Sequence, residues 1–274
     1  MTKTQVWKAI ARSAIGVAHH GQSLPCQDYS EYRYLSLGVI IGAVADGAGS
    51  ASLSHLGSEL AVKTSLNYLA KWHKFLEKQP DYPQPLTDLS TDLARRFFEK
   101  LVQEVQKDLT HQARKLNCAV NQLATTLLVF IAHPQGAIAM QIGDGFLLIR
   151  CPEKDYKLLF QPDKGEFINE TAFVTSKSAL QDLKVGVFND AIAFICAATD
   201  GVEKVAIRYQ DWSPFSPFFE PLETFLRETD NPEAEAEYLE QFLRSERLNQ
   251  RTQDDKTLLL CLRNLPSNTL SANL

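Results

Sequence analysis

The spacing of apolar positions changes along the chain, and each change marks a different kind of element. The first forty or so residues read as extended. Tyr34-Leu35-Ser36-Leu37-Gly38-Val39-Ile40-Ile41-Gly42-Ala43-Val44-Ala45 is β-branched, glycine-dotted and apolar, which predicts a buried strand ending abruptly at Asp46-Gly47-Ala48-Gly49-Ser50. Ser52 and Ser54 then offer helix N-caps, and Leu66, Leu69, Trp72 and Leu76 follow near helical spacing. Pro80, Pro83 and Pro85 interrupt that helix and mark a linker. Leu93, Phe97, Leu101, Val105 and Leu109 recur every four residues, predicting a second long helix with one apolar stripe. Two such helices in succession should form a hairpin with a shared apolar face.

The period then shortens. Ala124–Ala132, Gly136–Ile142 and Phe146–Arg150 read as short strands, and their close spacing predicts antiparallel meanders, because a parallel crossover needs a dozen or more residues. Residues 162–184 read as an irregular surface segment, of a length that suits either a functional loop or a simple surface excursion. Ala191–Ala198 is a further buried strand, residues 216–248 are helical in two pieces around Pro232, and Thr257–Leu262 is the last strand. Strands lie on both sides of the helical pair and no linker separates two cores. The expected fold is therefore one α+β domain, an antiparallel sheet packed on a sheet with helices outside. It spans residues 1–264, with 265–274 as a polar, frayed tail.

Composition narrows the function. The chain has 274 residues, 45% hydrophobic and 22% charged, which is ordinary globular material. Its formal net charge of −5 argues against a general binder of nucleic acid or of anionic membranes. No apolar run approaches the roughly 18 residues of a membrane span, and the first residues lack the apolar core of a signal peptide. Five cysteines without a C-x-x-C pair suit the reducing cytoplasm and disfavour a zinc site; Cys196 and Cys261 read as buried small hydrophobes.

The chemistry lies in a recurring pattern: an apolar strand runs out and delivers an aspartate, often followed by glycine. It occurs at Ala45-Asp46-Gly47, Gly143-Asp144-Gly145 and Thr199-Asp200-Gly201, and in mirror form at Asp254-Asp255, just before the final strand; Asp28 adds another in Cys26-Gln27-Asp28. Any one of these alone reads as a hairpin turn. Together they describe carboxylates gathered at the rim of a sheet, whose mutual repulsion divalent cations would neutralise. All-oxygen ligands suit Mg2+ or Mn2+.

The ordered set Gly16-x-x-His19, Pro25-Cys26-Gln27-Asp28, Ala45-Asp46-Gly47-Ala48-Gly49, Gly143-Asp144-Gly145, Thr199-Asp200-Gly201-Val202 and Asp254-Asp255-x-Thr257 resembles the metal-dependent protein phosphatases of type 2C, in particular their bacterial branch. The segment Gly165–Phe173 is also similar to one of that branch. The resemblance implies a β-sandwich flanked by helical layers and a binuclear Mn2+ or Mg2+ site. Asp46 would bridge both ions, the Gly47 carbonyl would ligate one, Asp200 and Asp254 would hold the other, and Asp144 would serve a third, weaker ion. Asp28 would ligate directly or through water, and His19 would protonate the leaving oxygen or contact phosphate. A metal-bridging water would attack phosphorus directly. The implied substrates are phosphoserine and phosphothreonine proteins, with a cognate protein kinase as the opposing partner.

This sequence departs from the family pattern at three places. Ser23 stands where the animal members carry a phosphate-gripping arginine, for which Arg12 or His19 are the candidate substitutes; Lys204 stands where a second acid is common; and Asp255 stands where Asn is usual. The missing arginine leaves open a catalytically weak relative that binds phosphoproteins, and the carboxylate logic leaves open a metal-dependent phosphoester hydrolase acting on small molecules. Of the other histidines, His73 and His111 read as surface residues of helices, His133 as a turn residue, and His20 and His55 as undecided. Gly42-x-x-x-x-Gly47 lacks the lysine of a P-loop, Ser50 lies in no G-x-S-x-G elbow, and residues 233–247 read as a solvated charged face.

Overall fold

The structure is a computed structural model that describes residues 6–79, 90–160 and 171–264. The expected linker at Pro80, Pro83 and Pro85, the first part of the segment at 162–184 and the polar tail lie outside the described residues.

In chain order, β1 (Trp7–Ala14) is followed by a short helix α1 (Val17–Gly21), then β2 (Tyr29–Tyr34) and β3 (Ile40–Ala45). The long predicted strand from Tyr34 is thus shorter than its apolar run, because a 3-10 turn at Ser36–Gly38 breaks it. Helices α2 (Ser54–Leu76) and α3 (Thr91–Lys115) form the expected pair. They are followed by β4 (Leu127–His133), β5 (Gly136–Ile142), β6 (Phe146–Arg150), β7 (Tyr156–Leu158), β8 (Lys184–Phe188) and β9 (Phe194–Ala198). The one-turn helix α4 (Glu203–Ala206), a small hairpin of β10 (Ile207–Arg208) and β11 (Ser213–Pro214), helices α5 (Ser216–Glu228), α6 (Ala236–Leu243) and α7 (Glu246–Asn249), and β12 (Lys256–Arg263) complete the chain.

Two five-stranded antiparallel sheets stack face to face, one in the order β1-β12-β9-β6-β7 and the other β2-β3-β4-β5-β8. Strand β12 shows why its sequence is an unbroken apolar run. Leu258, Leu260 and Leu262 pack with Phe219, Leu222 and Leu243 of the outer helices, while Leu259 and Cys261 pack between the sheets with Phe130, Ile149 and Ile195. A strand covered on both faces cannot alternate apolar with polar. On the other side, Leu66 and Leu69 of α2 and Phe98, Leu101 and Val105 of α3 cover Ile41, Val129 and Ile138 of the second sheet. The result is a single α-β-β-α domain, as the sequence pattern implied.

Several local expectations are corrected. Neither Ser52 nor Ser54 caps α2: Leu53 holds the cap position without a side-chain bond, and Ser52 bonds Gln122 instead. Leu93 points to solvent at 52% exposure, and Ala94 and Phe98 turn inward in its place. Steps of four drift from a helix of 3.6 residues per turn, so a stripe spaced by fours rotates off the buried face. His73 is buried against Ser36, its Nε2 2.7 Å from Ser36 Oγ, rather than solvated; burial lowers its pKa. The meander breaks after β5, because β6 pairs with β9 and β7 in the other sheet.

Candidate metal centre

The strand register brings the aspartates to one rim. Tyr29 pairs with Ala45, so Asp28 and Asp46 lie side by side just beyond the ends of β2 and β3. Ala198 pairs with both Phe146 and Leu258, so the segments carrying Asp144, Asp200 and Asp254 leave the first sheet at the same edge. None of the three Asp-Gly pairs is a hairpin turn. Asp46-Gly47 leads toward α2, Asp144 lies where the chain crosses between sheets, and Asp200-Gly201 opens a 3-10 turn before α4.

Carboxylate oxygens of Asp46, Asp144 and Asp200 lie within 4.8 Å of one another. Burial raises the Asp46 pKa to about 11, with the charges of Asp28, Asp200 and Asp254 adding to the effect. Burial also raises Asp28 and Asp200 to about 7, aided by the charge of Asp255 at Asp28 and of Asp144 and Asp254 at Asp200. The Asp46 side chain, whose own value is shifted furthest, works the other way and lowers both. Five acids from separate parts of the chain therefore crowd one partly desolvated corner, and without a counter-charge it holds protons instead.

Close approaches and hydroxyls set this corner. A Cβ on Gly47 would lie 2.7 Å from Ser54 Cβ and 2.9 Å from the Gln27 carbonyl, so only glycine lets the Asp46 turn pass the start of α2. A Cβ on Gly201 would lie 1.8 Å from the Asp255 carbonyl oxygen, which seats the Asp200 turn on the Asp254-Asp255 segment. The Asp46 carbonyl accepts from Thr125 Oγ1 and from the Thr126 amide, at 2.9 and 2.8 Å. Asp28 Oδ2 accepts from Thr199 Oγ1 at 2.8 Å and Thr257 Oγ1 at 2.7 Å. Thr171, at the start of the described part of the irregular segment, donates to Asp144 Oδ2 at 2.7 Å. Beyond it Val174 and Ala179 are buried in the core, so this part of the segment is anchored beside the acids.

One oxygen each of Asp28, Asp144 and Asp200 is buried without a hydrogen-bond partner. Unsatisfied buried carboxylate oxygens are costly, and these come from acids that crowd together. The donor set contains only oxygens, with neither thiolate nor imidazole among the three clustered groups. That chemistry fits a hard divalent cation.

A family model described as protein phosphatase 2C matches residues 15–244. The chain belongs to the protein phosphatase 2C family. It is 32% identical over 263 residues to serine/threonine-protein phosphatase 3 of Escherichia coli (strain K12), an alignment covering 93% of this chain and 98% of the relative. Among solved structures it resembles the S. agalactiae serine/threonine phosphatase, with a TM-score of 0.62 at 15% identity, over 94% of this chain and 100% of that one. It also resembles RsbX in complex with magnesium, with a TM-score of 0.56 at 14% identity, over 96% of this chain and 98% of that one.

In this protein phosphatase 2C chain the expected site residues fall as follows. Asp46, Asp144 and Asp200 cluster tightly, Asp28 meets Asp46, and Asp254 is exposed at the edge of the group but close enough to raise both Asp46 and Asp200. Gly47 follows Asp46 at the same turn, its amide donating to the Gln27 carbonyl at 3.1 Å. His19 lies in α1 with Nδ1 3.1 Å from Asp255 Oδ1. Ser23, in the place of the arginine, is exposed with φ of 56°, and Arg12 is paired with Glu233 at 2.8 Å. Glu203 rather than Lys204 faces the acids: its pKa is raised, chiefly by burial, with Asp144 among the charges that contribute.

Sequence reasoning gave no role to Thr199, Thr257 or Thr171, although all three sit inside the quoted motifs, and it noted Asp255 only as an extra acid, without its partners. A threonine beside a strand-end aspartate is a usable signal, because its hydroxyl can serve a neighbouring strand's carboxylate.

Proposed function

We propose that this chain is a metal-dependent protein serine/threonine phosphatase that hydrolyses phosphoserine and phosphothreonine in proteins. The observation that carries the reading is the convergence of Asp28, Asp46, Asp144, Asp200 and Asp254, from five places in the sequence, on one corner where three of their oxygens lack a partner. Membership of the protein phosphatase 2C family supports it and weighs against a small-molecule hydrolase.

We assign Asp46, the Gly47 carbonyl, Asp200 and Asp254 as ligands of two divalent ions, with Asp28 ligating directly or through water and Asp144 serving a third ion. Divalent ions held there would supply positive charge against the phosphoryl oxygens and an acidified water as nucleophile. The chain's own residues do the rest. Thr199 and Thr257 fix the rotamer of Asp28 by bonding its Oδ2, which leaves Oδ1 free for the site. We assign His19 as the group that would give a proton to the departing seryl or threonyl oxygen. Mg2+ or Mn2+ is the ion that the all-oxygen donor set favours. Cytoplasmic residence is supported by five cysteines that are all free, and a protein kinase would supply the substrate. Among the described residues no helix is long and apolar enough to cross a membrane.

The test is turnover of p-nitrophenyl phosphate and of a phosphothreonine peptide by the full chain with Mn2+ or Mg2+. Hydrolysis of both is expected, with loss in EDTA and preference for the peptide over sugar phosphates. Folded protein without metal-dependent turnover would overturn the reading.

A further inference from the structure

Along β12 the side chains of Leu258, Leu260 and Leu262 face the outer helices, and the strand period of two puts Lys256 on the same face. A leucine there would continue the pattern. The chain instead buries a lysine completely, at 0% exposure. A buried ammonium is costly unless acceptors meet it. Lys256 Nζ donates to Asn249 Oδ1 of α7 at 3.0 Å and to the Asp254 carbonyl at 3.2 Å. The Asn249 amide is itself oriented, because its Nδ2 donates to the Arg244 carbonyl just past α6 at 3.1 Å. Turned over, it would set its NH2 against the ammonium and its oxygen against a carbonyl.

This relay ends on the peptide between Asp254 and Asp255. Its carbonyl accepts from Lys256. Its N–H, on the opposite edge of the same plane, donates to Asp254 Oδ1 at 2.9 Å. Whatever sets the plane therefore sets the carboxylate. The plane is also packed closely on Gly16, where a Cβ would lie 2.3 Å from the Asp254 carbonyl carbon and 2.5 Å from its oxygen. With Oδ1 taken by the amide, Oδ2 is the oxygen that this arrangement leaves for a cation.

We infer that Lys256 is a positioning residue for Asp254: its buried ammonium, braced by Asn249, fixes the peptide that holds the Asp254 carboxylate at the metal site. The inference rests on the phosphatase reading given above and on Asp254 as a ligand. Position and charge have opposite consequences here. The ammonium lies where Asp255, Asp254 and Asp28 act on it, so as a charge beside the acids it repels a divalent ion. Its loss as a charge would tighten ion binding, whereas its loss as a brace would weaken it.

The test measures Mn2+ binding to the full chain by titration calorimetry, without substrate. Lys256→Met keeps the length of the side chain and suits a leucine-lined face, and the partners it leaves behind are neutral oxygens rather than a buried charge. It should raise the Mn2+ dissociation constant by about tenfold, within the range that follows loss of a ligand's outer support. Asn249→Leu leaves the ammonium in place and should weaken binding in the same direction, by about threefold. In an Asp254→Asn background Lys256→Met should change the constant by less than about twofold, because it acts through Asp254. An unchanged or tighter constant in either single variant would overturn the inference, whatever happens to the melting temperature. So would an equal loss with and without the Asp254 carboxylate. If Lys256→Met does not fold, Asn249→Leu decides the matter. Wild-type protein that binds no Mn2+ would overturn the phosphatase reading itself, a failure distinct from variants that bind as the wild type does.

Discussion

Thr257 Oγ1 donates to Asp28 Oδ2 at 2.7 Å, joining residues 229 positions apart in the chain. The same hydroxyl lies 2.8 Å from Ser13 Oγ, so the last strand, the first strand and the entry to β2 meet at one carboxylate. Replacing Thr257 by valine keeps the shape and removes the hydroxyl. The half-saturating concentration of Mn2+ in the phosphatase assay should rise by about tenfold, the usual cost of losing a group that orients a ligand. An unchanged metal requirement would show that Asp28 plays no part in ion binding.

Asp46→Asn should abolish turnover and Mn2+ binding by calorimetry while the fold survives. It removes a carboxyl whose charge is disfavoured by burial and by Asp28, Asp200 and Asp254. The melting temperature in EDTA should therefore rise, by about 2–4 °C for each kcal/mol of repulsion relieved. Near-normal turnover would contradict the bridging assignment.

The metal-free protein should lose stability as pH rises. Asp28 and Asp200 titrate near 7 and Asp46 near 11 in the folded chain, against about 3.9 unfolded. Their folded values are raised, so the stability they contribute is complete below about pH 4 and drains away as pH passes through 7 and beyond. In EDTA the melting temperature should fall between about pH 5.5 and 8.5, and saturating Mg2+ should remove most of that fall. A metal-free melting temperature that climbs across the same interval would contradict the crowding of these acids.

At the opposite end of the first sheet, buried Glu223 accepts from Arg150 Nε at 2.8 Å and Tyr156 Oη at 2.9 Å, and pairs with Arg227 at 2.5 Å. Glu223→Ala leaves the largely buried Arg150 unpaired and should cost about 3–5 kcal/mol by urea denaturation. Exposed Arg227 contributes little to that figure. Specific activity of the folded fraction should stay within about twofold, since the site lies at the other rim; a large loss would mean that the two ends communicate.

Much of this arrangement was legible in the chain because strand ends are local signals. Asp46, Asp144 and Asp200 each follow an apolar run, and antiparallel register then carries them to one edge. The two long helices were legible from their spacing, although Leu93 was assigned to the wrong face because a count of four drifts from the true helical turn. What could not be read was partnership across distance. That β6 leaves its hairpin neighbour for β9, that Ser52 serves Gln122, or that Asp255 receives Gly16 and Gln27 depends on contacts whose two sides carry no mark of each other. His73 shows the same limit, since a polar residue on a helix reads as solvated until its neighbour Ser36 is known.

The crossing of the chain at Asp144 has a mechanical consequence. Asp28 and Asp46 belong to one sheet, Asp200 and Asp254 to the other, and Asp144 to the strand passage between them. Ions seated among these groups would rivet the two halves of the sandwich along their shared seam. Shear of one half past the other would then loosen the ions, and the ions would in turn resist that shear.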